Sequence, residues 1–177
     1  MADEVGSSWP VLQVHALLAA LTDGGVDFVV IGGIAAVLHG SPTFTHDLDI
    51  VFESSQENRE RLGSVLTRLK AKPSGVDEEL PFQADARMLD RIQLLTLETT
   101  AGRIDVMHPP AGAPPYEELR ARAGLVEVKG REVRVAAIDD LIAMKRAAGR
   151  PKDLGAVDEL EAIKRLAPKY GSTQPPE

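Results

Sequence analysis

Apolar residues recur along the chain with two distinct periods, and the switches between them lay out its elements. Val14, Leu17, Leu18 and Leu21 fall at helical spacing behind Pro10, which can open a helix, and Gly24-Gly25 ends it. Val26 to Ile31 is β-branched and aromatic, interrupted only by Asp27, and reads as a buried strand. Gly32-Gly33 turns into a helix running to about His39, and Gly40-Ser41-Pro42 breaks it. Thr43 to Thr45 leads into a second strand from Asp47 to about Phe52, where polar and apolar positions alternate. Ser54-x-x-Glu57 has the form of a capping box, and Leu62, Val65, Leu66 and Leu69 form one face of a helix ending near Lys72. Residues 73–90 show no period; a loop over a site and plain surface both fit them.

Arg91 to Glu98 and Arg103 to Met107 flank Thr99–Gly102 and read as a hairpin. Pro109 to Pro115 is a stiff linker, Tyr116 to Ala123 a short helix, and Val126-Val128 and Val133-Val135 flank Lys129-Gly130 as a second hairpin. Ile138, Leu141 and Ile142 define a helix face on which Lys145 also falls. Arg150-Pro151 breaks it, since the residue before proline resists the helical region; Pro151 then starts a last helix with Leu154, Val157, Leu160 and Ile163 inward. Together these elements predict an α/β (α+β) fold: a mixed β-sheet with flanking helices and a helical C-terminal segment. The expectation is one domain over residues 10–170, its core at about 10–108 and a hairpin with helices at about 116–168, between loose tails at 1–9 and 171–177.

Composition narrows the function classes. With 44% hydrophobic and only 4% aromatic residues, the core must be mostly aliphatic. The absence of Cys removes disulfides and thiolate metal sites. No apolar run spans a bilayer and the first residues lack a signal-peptide pattern, so no membrane partner and a cytoplasmic location are expected. A net charge of −7 argues against non-specific DNA binding by the whole surface. The charge is uneven: from Arg120 to Lys152 nine Lys/Arg stand against four Asp/Glu. That tract fits either a nucleotide's phosphates or a solvated face.

The chemistry-bearing residues cluster around the first two strands. Asp47 and Asp49 point to the same side of their strand, and Leu48 and Ile50 to the other. Two parallel carboxylates on a rigid strand suit a hard cation such as Mg²⁺. The Gly32-Gly33 turn offers free N–H groups to phosphate. Asp105 lies opposite Ile104 and Val106 and needs a partner, a cation or a base such as Arg103. Lys145 either snorkels to the surface or reaches a phosphate. Arg150 and Lys152 at the helix junction are phosphate candidates or solvated charges. Thr45 shapes its loop, and His46 and His108 face away from the acids.

Gly32-Gly33, a loop, Asp47-Leu48-Asp49 and a later strand carboxylate at Asp105 resemble the signature of the nucleotidyltransferase superfamily that includes polymerase β. Thr45-His46-Asp47-Leu48-Asp49, with Met144-Lys145 and Arg150-Pro151-Lys152-Asp153, is similar to small bacterial nucleotidyltransferases related to the toxins of abortive-infection (type IV toxin–antitoxin) systems. Many relatives carry Ser where this chain has Gly33 and Arg where it has Thr43. The resemblance implies a nucleotidyltransferase-like fold in which Asp47, Asp49 and Asp105 hold Mg²⁺ (or Mn²⁺). It further implies that Asp105 acts as base, and that Gly32, Gly33, Lys145, Arg150 and Lys152 meet the phosphates of an NTP. The implied activity moves an NMP to an acceptor hydroxyl on an RNA end such as tRNA, a protein or a small molecule and releases pyrophosphate, with a cognate antitoxin as a possible partner. The alternative is a catalytically degenerate nucleotide- or partner-binding regulator.

Overall fold

The computed structural model describes residues 10–76 and 82–167, so the tails expected at 1–9 and 171–177 lie outside the described residues. The elements follow in the order α1 (Val14–Asp23), β1 (Phe28–Ile31), α2 (Gly32–Leu38), β2 (Asp47–Phe52), α3 (Gln56–Arg68), β3 (Lys72–Pro73), α4 (Ala86–Arg91), β4 (Leu94–Thr99), β5 (Gly102–Met107), α5 (Tyr116–Arg122), β6 (Gly124–Val128), β7 (Arg131–Val135), α6 (Ile138–Ala148) and α7 (Pro151–Leu166). The strands form one seven-stranded sheet in the order β3-β4-β5-β2-β1-β7-β6. The β2–β5 and β1–β7 pairs are parallel and the others antiparallel, which makes the sheet mixed. Among the described residues no helix is long and apolar enough to cross a membrane.

The alternation along β2 and β5 does the work the sequence assigns it. Leu48, Ile50, Ile104 and Val106 are fully buried, while Asp47, Asp49 and Asp105 on the other face stay half-buried. β1 is buried along its whole length, inside the sheet between β2 and β7. Leu17, Leu18 and Leu21 carry the inner face of α1, and Leu62, Val65 and Leu66 that of α3. The core is aliphatic throughout, with Phe52 its largest fully buried side chain.

Several boundaries differ from expectation, each for a local reason. Helix α1 starts at Val14, because residues 10–13 lie against the β4–β5 turn, where the Gln13 N–H donates to the Ala101 carbonyl at 2.8 Å. The cap of α3 is Ser55, whose Oγ accepts from the Asn58 N–H at 3.2 Å; Ser54-x-x-Glu57 is one residue early. α3 ends at Arg68, and Lys72–Pro73 pairs with β4 as a strand. Part of the unassigned stretch 73–90 is the short helix α4, capped by the Asp85 side chain on the Met88 N–H at 2.8 Å. Leu154 is 59% exposed, and Asp153 takes the inward position on that turn of α7.

Candidate active site

The parallel β2–β5 ladder sets Asp47 opposite Arg103 and Asp49 opposite Asp105. This register gathers acids that stand more than fifty positions apart in the chain. One carboxylate oxygen from each of Asp47, Asp49 and Asp105 lies within 4.8 Å of the others. Ile31 is the ladder partner of Asp49 across β1, so the next residue, Gly32, passes directly over that carboxylate. A Cβ there would sit 2.2 Å from Asp49 Oδ2, and the backbone has φ +66°, so the position accepts only glycine. A Cβ on Gly33 would lie 2.8 Å from both Cβ and Oγ1 of Thr45. Thr45 therefore fills the space that a larger residue at 33 would claim, and its hydroxyl donates to Asp47 Oδ1 at 3.1 Å.

Three carboxylates this close repel one another when ionised. Burial first, then the charges of Asp47 and Asp105, push the Asp49 carboxyl up to about 7, with Lys145 pulling the other way. Burial, with the Asp47 charge adding to it, also raises Asp105 above the ordinary carboxylate range. Asp105 Oδ1 is buried with no hydrogen-bond partner among the described residues. A set of hard oxygens, raised proton affinities and an orphaned lone pair fits a divalent cation such as Mg²⁺ or Mn²⁺.

Beside Asp49 opens a cavity of about 270 Å³, lined by Gly32, Asp49, Lys145, Arg150 and apolar residues that include Met107 and Met144. Lys145 is held there by Asp153, Nζ to Oδ1 at 3.4 Å, and Arg150 grips the same carboxylate, Nε to Oδ2 at 2.7 Å. Asp153 is buried, and the Arg150 hydrogen bond, with help from Lys145, holds its carboxyl below the usual range. Lys152 is exposed on the first turn of α7 and does not line this cavity. Of the remaining basic tract, Arg120, Arg122, Arg131 and Arg146 pair with Asp27, Asp140, Asp23 and Glu161, so much of it is ion-paired surface.

Thr45 does shape its loop, and the histidines face other neighbours: His46 lies edge-on to Phe44, and His108 packs at a tilt against Phe52 and contacts the Leu89 carbonyl. Sequence reasoning missed the part of Asp153, although it closes the Arg-x-Lys-Asp segment. It also missed Glu159, which accepts from the Ser41 and Thr43 hydroxyls and ties the loop before β2 to α7. Neither contact carries a local signal, since one spans eight positions across a helix break and the other more than a hundred.

Known structures share this architecture. The chain superposes on ANT(2")-Ia in complex with adenylyl-2"-tobramycin with TM-score 0.52 at 19% identity, covering 86% of this chain and 91% of that one. It superposes on the lincosamide antibiotic adenylyltransferase LnuA, lincomycin-bound, with TM-score 0.56 at 14% identity, covering 87% and 99%. An antigenic nucleotidyltransferase-like protein from Paracoccidioides brasiliensis gives TM-score 0.50 at 16% identity, covering 86% and 74%. At these identities the likeness shows the fold. No curated protein sequence matches the chain. The family model described as "Nucleotidyl transferase AbiEii toxin, Type IV TA system" matches residues 16–154, well over half of the chain, and its span holds the acids, the glycine turn and Asp153. The chain therefore belongs to the AbiEii nucleotidyltransferase family.

Proposed function

We propose that this protein is a metal-dependent nucleotidyltransferase that moves an NMP from an NTP to an acceptor hydroxyl. The observation that carries this reading is the convergence of Asp47, Asp49 and Asp105 within 4.8 Å beside the Gly32 turn and the Lys145 cavity. Asp47, Asp49 and Asp105 would hold Mg²⁺ or Mn²⁺, which in such sites neutralises phosphate charge and stabilises the attacking and leaving oxygens. The NTP lies in the cavity beside Asp49, with its phosphates facing the Gly32 backbone, Lys145 and Arg150; Gly33, the next residue of that turn, lies outside the lining. Lys145 is fixed by Asp153 and meets phosphate as a positioned point charge. Asp105, with its raised proton affinity, takes the acceptor's proton. The acceptor oxygen bonds to the α-phosphorus, the bond from that phosphorus to the bridging oxygen breaks, and pyrophosphate leaves. Membership of a toxin family supports a toxin role and a cognate antitoxin partner.

The test is incubation of the full chain with Mg²⁺, each α-³²P-labelled NTP and a cell extract containing RNA, protein and small molecules. Wild type is expected to label one acceptor class, and Asp47→Ala to lose at least ~10³-fold of that rate. NTP binding without transfer, unchanged in Asp47→Ala, would replace the enzyme with a nucleotide-binding regulator.

A further inference from the structure

A second hollow meets the acids from the other side. It encloses about 650 Å³ and is lined on one wall by residues 10–12 and Val14, on another by Ile34 and Val37 of α2, and across its mouth by residues 43–46 with Arg103. Its size lies in the range of small-molecule sites, ~300–1,000 Å³. The contacts place it against Asp47: Thr45 lines it and donates to Asp47 Oδ1, and Arg103 is the ladder partner of Asp47. The Lys145 cavity, in contrast, opens on Asp49. In phosphoryl transfer the attacking and leaving oxygens lie roughly in line, so the two substrates approach the transferred phosphorus from opposite sides.

We infer that this hollow is the acceptor subsite and that it takes a nucleotide, a hydroxyl-bearing sugar with a phosphate and a flat base. The inference rests on the nucleotidyltransferase reading. Its lining specifies the chemistry. Arg103 Nε is buried with no hydrogen-bond partner among the described residues, which suits a phosphate oxygen. Phe44 is 80% exposed at the mouth, edge-on to His46 with ring centroids 4.9 Å apart. A free aromatic face beside an arginine is the pairing that binds nucleotides by stacking and charge. Val37 and Ile34 give the base an apolar floor. Among the described residues that line the hollow no carboxylate is present and Arg103 carries a positive charge, which favours an anionic acceptor over a polycation. ANT(2")-Ia, with its adenylyl-tobramycin, shares the fold, so the fold leaves the acceptor open and the lining decides it.

The test uses the full chain with Mg²⁺ and labelled NTP. The acceptors offered are an RNA hexanucleotide with a free 3′-terminal ribose, adenosine monophosphate and tobramycin. Label on the hexanucleotide or on adenosine monophosphate supports the nucleotide chemistry, and the better of the two identifies its source. Arg103→Gln and Val37→Trp, the second of which fills the hollow, are each expected to raise the acceptor KM at least tenfold while NTP affinity stays within twofold. An Arg103 that only offsets the charge of the acids would instead raise the Mg²⁺ requirement and leave the acceptor KM alone, which overturns its assignment. An acceptor KM unchanged in Val37→Trp overturns the subsite, and preferential labelling of tobramycin overturns its class. Absence of NTP binding in the wild type would sink the nucleotidyltransferase reading and this inference with it.

Discussion

Two charged clusters face each other across the Lys145 cavity, and they treat charge in opposite ways. At the junction of α6 and α7, Asp153 is almost wholly buried, yet two cations hold it and its proton affinity falls. On β2 and β5, Asp47, Asp49 and Asp105 are less buried, yet among the described residues no cation contacts them within hydrogen-bonding distance, and the proton affinities of Asp49 and Asp105 rise. Burial alone therefore does not mark a site. The first cluster is balanced within the chain and serves as a mount for Lys145. The second is left unbalanced by the described residues, which is what the proposed cation would correct.

That contrast can be broken experimentally, beginning with its strongest consequence. On the proposed reading Asp105→Asn removes both a cation ligand and the base, and it is expected to lower the transfer rate by at least ~10³-fold with the circular-dichroism spectrum unchanged. A rate within tenfold of wild type would show that the triad is structural. Asp153→Ala acts on the balanced cluster. It frees Lys145 and Arg150, both partly exposed, so the expected loss of stability is only about 1–2 kcal/mol. Its larger effect is on the NTP KM, expected to rise about tenfold as Lys145 loses its mount, with the acceptor KM unmoved.

Titration sharpens the comparison further. Folded, Asp49 keeps its proton until about pH 7, against an ordinary value of 3.8. Between those two values the unfolded chain binds fewer protons than the folded one, so stability of the metal-free protein falls as pH rises across that interval and levels off above it. On the proposed reading Mg²⁺ would take the place of the proton, so its stabilising effect in thermal melts is expected to grow over the same interval. Asp49→Asn is expected to flatten the pH slope to the share that Asp105 contributes and to remove the Mg²⁺ effect. A metal-free protein whose stability rises from pH 4 to 7 would contradict the unbalanced cluster. The smallest effect is expected at Thr45→Val, which keeps the shape beside Gly33 and deletes the hydrogen bond to Asp47 Oδ1. The half-saturating Mg²⁺ concentration should rise a few-fold, corresponding to ~1 kcal/mol, with Thr45→Ser restoring it.

The acids were legible because a strand has a period of two. Alternation alone put Asp47 and Asp49 on one face and Asp105 opposite Ile104 and Val106. The β2–β5 register that sets Asp49 beside Asp105 is a long-range pairing, and only the family likeness pointed to it. Helix α7 shows where pattern reading slips. Leu154, Val157, Leu160 and Ile163 are spaced by three, and at ~100° per residue such a row drifts ~60° with each step. One end of the row must leave the core; Leu154 does, and Asp153, four before Val157, turns inward. The lysine's mount stayed hidden for the same reason: a buried aspartate was not expected at the position a leucine appeared to claim. The Ser55 cap and the start of α1 at Val14 are smaller cases, in which a neighbouring hydrogen bond overrides a good local motif.

Glu159 gives the last helix a reach beyond its own packing. Its carboxylate clasps Ser41 and Thr43, a few residues ahead of the strand that bears Asp47 and Asp49, and it stands past residue 154, where the family match stops. The family resemblance leads one to expect arginine where this chain has Thr43. The brace that steadies the entrance to the acidic strand is thus a fitting made by this chain's own hydroxyls, and Glu159→Gln would loosen the loop in front of the triad while leaving the core contacts of α7 in place.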